Sequence, residues 1–164
     1  MKKIFLLILT CLISTLLISN TVFASVDIEQ KDWEDINLSD EEFEQILSQN
    51  INNSFSTYTT GLIEGHNLAI SKKNSTLIIA GFTQVKSLTQ CGFSKVTIQR
   101  RKNSSSSWTT YKTYTDLYNN TTYYRLSKSL SVPTGYQYRV TCTHYAKKNT
   151  TVEKINATSN IVSF

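Results

Sequence analysis

TYYRLSKSLSVPTGYQYRVTCTHYA, residues 122–146, is the stretch whose period decides the fold. After the turn residues Pro133-Thr134-Gly135, side chains alternate: Tyr138, Val140 and Cys142 share one face, and Arg139, Thr141 and Thr143 share the other. Before the turn, Tyr124, Leu126, Leu130 and Val132 line up, with Lys128 interrupting them. A lysine among inward positions marks an edge strand or a bulge. Two alternating segments joined by a short turn read as antiparallel strands, each half-buried.

The same pattern extends outward. From Asn50 onward the chain is rich in Thr, Ser, Tyr, Val and Ile, with a single proline, which is strand composition. Residues 67–71 and 76–85 flank a turn at Lys72-Lys73-Asn74-Ser75, and residues 95–102 and 108–115 flank Asn103 to Ser107. Residues 122–132, 136–146 and 151–156 follow, the last two separated by Lys147-Lys148-Asn149-Thr150. About seven short strands with tight polar turns and no crossover helices predict an all-β fold, an antiparallel immunoglobulin-like β-sandwich, preceded by a short N-terminal helix.

That helix is written in the acidic segment. Ser39-Asp40-Glu41-Glu42 fits a capping box, Leu38 and Phe43 fit a hydrophobic staple, and Phe43, Ile46 and Leu47 share one face. The spacing predicts a helix from about Asp40 to Ser48, its apolar stripe docked on another element; a disordered acidic leader is the alternative.

The first residues, MKKIFLLILTCLISTLLISNTVFAS, have the order of a secretory signal peptide, with Ala24 suited to the position before cleavage. An N-terminal anchor is the alternative, because the apolar run approaches a bilayer-spanning length. A lipoprotein site at Cys11 lacks the small residue it needs, since Thr10 precedes it. The expected division is 1–24 signal peptide, 25–57 acidic leader with the helix, and 58–164 sandwich. On this reading the chain is secreted, free or associated with the cell wall, and has no stable membrane span after cleavage. Two cysteines then remain, Cys91 and Cys142, and an even pair in an exported chain reads as one disulfide, with two buried free thiols as the alternative.

Charge is divided as well. Residues 25–50 hold nine acids against Lys31, whereas residues 51–164 hold three acids, Glu64, Asp116 and Glu153, against fourteen bases. An acidic arm of this kind could fold on the basic body and mask a binding surface.

Val132-Pro133-Thr134-Gly135-Tyr136-Gln137-Tyr138-Arg139-Val140 resembles the tyrosine-corner region of immunoglobulin and fibronectin type III domains. The resemblance implies that the Tyr138 hydroxyl bonds to upstream backbone. The cysteine comes four residues after Tyr138, and no tryptophan lies between Cys91 and Ile98, so the antibody cysteine framework does not carry over. Leu68-x-Ile70, Val96-x-Ile98-Gln99, the serine-rich turn, Trp108-x-x-Tyr111 and Gly135-Tyr136-x-Tyr138-Arg139-Val140 resemble a group of small exported β-sandwich proteins of Gram-positive bacteria. That resemblance covers about residues 67–161 and implies export and a sandwich, with no catalytic residue or ligand.

The chemistry is sparse. His66 and His144 are far apart in sequence, the body's three acids are scattered, and no Gly-x-Ser-x-Gly turn, His-Glu-x-x-His helix or phosphate loop occurs. Cys142 and His144 lie two apart on one face, the wrong spacing for a papain-type pair. No enzyme, cofactor or metal site is expected, and three adjacent bases are too few for nucleic acid. The candidate binding residues are the basic and aromatic set around the serine-rich turn: Arg100, Arg101, Lys102, Trp108 and Lys112. Seven of nine tyrosines fall between Tyr111 and Tyr138, either stacking on sugars or packing the sheet. The expected role is a secreted, non-catalytic binding module for a cell-wall polymer, glycan or extracellular protein. The alternative is a small secreted antibacterial or inhibitor protein.

Overall fold

The computed structural model describes residues 33–50 and 61–164, all within one unit spanning Lys31–Phe164. The signal peptide and the first residues of the acidic leader, and the junction at residues 51–60, lie outside the described residues. In chain order the elements are β1 (Glu34–Asp35), α1 (Asp40–Leu47), β2 (Ile63–Lys73), β3 (Thr76–Arg101), β4 (Thr109–Ser131), β5 (Gln137–Lys148), β6 (Thr151–Thr158) and β7 (Val162–Ser163). All pairings are antiparallel. The order is β1-β4-β3-β5-β6, with β2 also on β3 and β7 on β5, and the ladder does not close.

The sandwich is made by one strand that changes neighbours. The first part of β3 pairs with β2 as far as Val85, and its second part pairs with β5 from Gln90 onward. β4 accompanies β3 along both parts, and their register breaks between Gln84 and Thr89. The β3–β4 hairpin is therefore the spine of both layers, and the break is where it turns from one to the other. Gly92 follows, with φ +150°, and a Cβ there would collide with the Leu117 carbonyl and with Tyr118. Only glycine allows the two strands so close at this point.

The core fills the space between the layers. Leu68, Ile70, Leu77 and Ile79 from the first layer meet Phe93, Val96, Ile98, Val140 and Cys142 from the second, with Leu126, Leu130 and Val132 of β4. The alternation in 136–146 is borne out: Tyr138, Val140, Cys142, His144 and Ala146 are buried, and the residues between them are partly exposed. Tyr138 donates to the Pro133 carbonyl at 2.9 Å, the corner bond that the resemblance implied. Asn74 and Asn149 take left-handed backbone in the β2–β3 and β5–β6 turns, which asparagine tolerates.

The first layer is apolar on both faces, and α1 explains why. Phe43, Ile46 and Leu47 are buried against Ala69, Ile78, Ala80 and Phe82, on the side of β2 and β3 away from the main core. The capping box forms as expected: the Ser39 hydroxyl accepts from Glu42 N at 3.2 Å and Glu42 accepts from Ser39 N at 3.1 Å. Leu38 packs at the edge of the same cluster. Preceding the helix, β1 pairs with β4 at Ser129 and Lys128 and so covers an otherwise open edge. Lys128 bonds Asp35 at 2.6 Å and lies over the Trp33 ring, whose own plane stacks on Tyr114 at 3.6 Å. The interrupting lysine is thus paired at an edge.

Two expectations are corrected. The segments expected at 76–85 and 95–102 belong to one continuous strand, β3 (Thr76–Arg101), and those expected at 108–115 and 122–132 to another, β4 (Thr109–Ser131); seven strands result because β1 and β7 are added. The Cys91–Cys142 disulfide does not form: both are free, buried thiols. Register gives the reason. Cys91 stands opposite Ala146, while Cys142 stands opposite Val96. Four residues of offset along a strand separate them by about 13 Å, well beyond the Cα spacing of about 7 Å that a disulfide tolerates.

Candidate functional site

The serine-rich connection is a turn ordered by its first asparagine. Asn103 Oδ1 accepts from Ser105 N at 3.1 Å and Ser106 Oγ at 3.0 Å, and the Asn103 carbonyl accepts from Ser106 N. Trp108 lies just before β4 and half-buried. Its indole is met by two guanidiniums, Arg101 at 4.4 Å from the centroid and Arg139 at 4.5 Å. Each guanidinium is held at Nε by a glutamine across the β3–β5 ladder. Arg101 donates to Gln137 at 2.8 Å, and Arg139 donates to Gln99 at 2.8 Å.

The predicted basic set is only partly brought together. Arg101 and Trp108 meet on the outward face of the second layer. Lys102 is exposed in the turn beside them. Arg100 points the other way, its guanidinium 4.7 Å from the rings of both Tyr111 and Tyr136 at the end of the core. Lys112 stands opposite Ile98, a core residue, and so leaves the outward face. Arg139 was assigned away from the core but not joined to the hairpin. The missing link is the register pair Gln99–Arg139.

Beyond the arginines, the outward face is a polar trough of about 370 Å³, lined by residues that include Lys95, Thr97, Gln99, Thr110, Thr141 and Asn156. Thr97 and Thr113 hydroxyls approach at 3.4 Å, and Thr143 donates to Asn156 at 2.8 Å. Farther along, Tyr118 and Tyr145 flank Gly92 in register and their rings meet at 4.7 Å. Most of the other tyrosines pack the sheet: Tyr111, Tyr114, Tyr124, Tyr136 and Tyr138 join the main core or its rim.

The Cys142–His144 pair is buried beneath this face. Thr83 Oγ1 donates to the Gly92 carbonyl at 2.8 Å, so it accepts from His144 Nδ1, also at 2.8 Å. That fixes the proton on Nδ1 and leaves Nε2 to accept from the Cys142 thiol at 3.3 Å. Burial pushes the His144 pKa down to about 3, with the His66 charge adding to it, and burial raises the Cys142 thiol. A nucleophilic cysteine needs access and a lowered pKa; this one has neither, and the pair is a core contact. Glu153 accepts from the backbone N–H groups of Leu62 and Ile63, and Asp116 accepts from the Tyr118 hydroxyl. Among the described residues no cluster of three metal-ligating side chains occurs, and no helix is long and apolar enough to cross a membrane.

The described part of the acidic arm lies on β4 and on the outer side of the first layer, where Arg125 bonds Asp40 at 2.6 Å and the Leu38 carbonyl at 2.7 Å. The chain matches no protein-family model and no curated protein.

Proposed function

We propose that this protein is an exported, non-catalytic binding module that holds a cell-wall polymer or glycan on the outward face of its second layer. The observation that carries the reading is the contrast in cover. The outer side of the first layer is apolar and sealed by α1. The corresponding side of the second layer is lined by hydroxyls, amides and Trp108, and no described element lies over it. Rows of threonine on a sheet present donors and acceptors at fixed spacing, and an indole at their end offers a plane for sugar C–H groups. The signal-peptide order of the N-terminal residues, and the resemblance to exported Gram-positive proteins, support a role outside the cell.

The test is retention of the chain on intact cell wall and on immobilised glycans, compared with Thr141→Trp, which fills the trough. Loss of retention with an unchanged unfolding midpoint supports the reading. Equal retention by both proteins would remove this face from the binding.

A further inference from the structure

Arg101 and Arg139 are two positive charges on one indole, with no carboxylate of the described residues paired to them. β3 and β5, which carry them, contain no acid at all. Among the described residues neither forms an ion pair, and their hydrogen bonds are few. Arg101 donates from Nε to Gln137 and from Nη1 to the Ser104 carbonyl; Arg139 donates from Nε to Gln99. Among the described residues, the Nη groups of Arg139 and Nη2 of Arg101 have no hydrogen-bond acceptor. A guanidinium fixed at Nε and stacked on an indole has lost most of its rotamer freedom already, so little more is lost when Nη engages a ligand. Burial, and then the neighbouring Arg101 charge, lower the Arg139 pKa from its usual value, as expected of like charges held close.

We propose that Arg101, Arg139 and Trp108 form an oxyanion-binding site, which takes a phosphate or carboxylate group carried by the ligand. Planar guanidiniums match such groups with paired N–H donors, and charge-assisted bonds of this type are the strong ones. Lys95, in the trough beyond the arginines, supplies a third positive charge for the next acidic unit of a polymer. The site deepens the wall-binding reading by giving its ligand a charge, and it makes the preferred polymer an acidic one.

Trp108 and Trp33 are the two tryptophans of the chain, so Trp33→Phe leaves Trp108 as the sole indole reporter. In that background, inorganic phosphate added at low ionic strength should change Trp108 emission saturably. Arg139→Gln should weaken the apparent affinity at least about tenfold. Arg139→Lys keeps the charge without the planar fork; it should also weaken binding, and it serves as the second variant if glutamine compromises folding. A phosphate response unchanged in both variants overturns the site. Two arms on polymers separate this inference from the wider reading. Retention on intact wall that is lost when phosphodiester and uronate polymers are stripped supports both. Equal retention on stripped wall leaves the module standing and overturns the acidic ligand. Phosphate binding with no retention on any wall or glycan keeps the site and overturns the wall-binding function.

Discussion

The two outer faces of this sandwich are built from the same spine and finished in opposite ways. On the first layer, β3 presents Ile78, Ala80 and Phe82 outward, and α1 covers them with Phe43, Ile46 and Leu47. On the second, the same strand presents Thr97, Gln99 and Arg101 outward, with no described element over them. A face that must be covered is apolar, and its residues are spent on stability. A face left to solvent can keep hydroxyls and guanidiniums in fixed positions at little cost, because water satisfies them until a ligand does. The chain therefore separates its stability from its candidate chemistry by layer.

The largest expected effect belongs to the core the layers share, and it sets the scale for the rest. His144 is fully buried and its pKa is pushed from 6.5 down to about 3. The unfolded chain takes up a proton below about pH 6.5 that the folded chain refuses until about pH 3. Stability is therefore complete above the unfolded value and falls with pH through this window, by about 1.4 kcal/mol per unit from this group. Urea unfolding followed from pH 7 to pH 4 should show a falling midpoint; a level midpoint would mean that His144 accepts its proton in the folded state.

The covered face comes next. Phe43→Ala removes a ring 1% exposed and should cost about 3 kcal/mol in global unfolding. If the cost is near zero while the helical signal disappears, the leader is an appendage and the comparison between faces fails. Arg125→Ala should cost about 1–2 kcal/mol, since Arg125 reaches Asp40 and the Leu38 and Ser39 carbonyls and lies 4.0 Å from the centre of the Phe43 ring. Salt should recover little of that loss, because most of the contacts are to backbone and ring. Ser39→Ala should cost about 1 kcal/mol through the lost cap.

These elements differ in how far sequence alone reveals them. The helix was legible to within a residue, because a capping box and an apolar stripe are local signals. Tyr138 and its bond to Pro133 were legible for the same reason, five residues apart in one corner. What escaped depends on register between distant segments. Residues 86–94 read as a gap between two strands, yet the backbone runs on as one strand and changes its neighbour within them. The disulfide followed from counting two cysteines, while the ladder sets them four residues out of step. Arg139 lies far along the chain from Arg101, and only the pairing of Gln99 with Arg139 and of Arg101 with Gln137 reveals that they share one tryptophan. The outward parity of both arginines was available in the alternation, but the pairing partner was not.

The smallest expected effect on stability separates the faces most sharply. Thr141 is partly exposed and lines the trough, flanked in register by Thr97 and Thr158. Thr141→Val keeps the shape and the strand preference and removes one hydroxyl that water otherwise satisfies, so unfolding should change by less than about 0.5 kcal/mol. Retention on the wall should nevertheless weaken severalfold, because a ligand bonded to that hydroxyl loses a partner in a place it cannot replace. The reverse result, lower stability with retention intact, would mean that the threonine row serves the sheet itself. The outward faces would then differ only in what happens to cover them, and the division of labour between layers would have no basis in their chemistry.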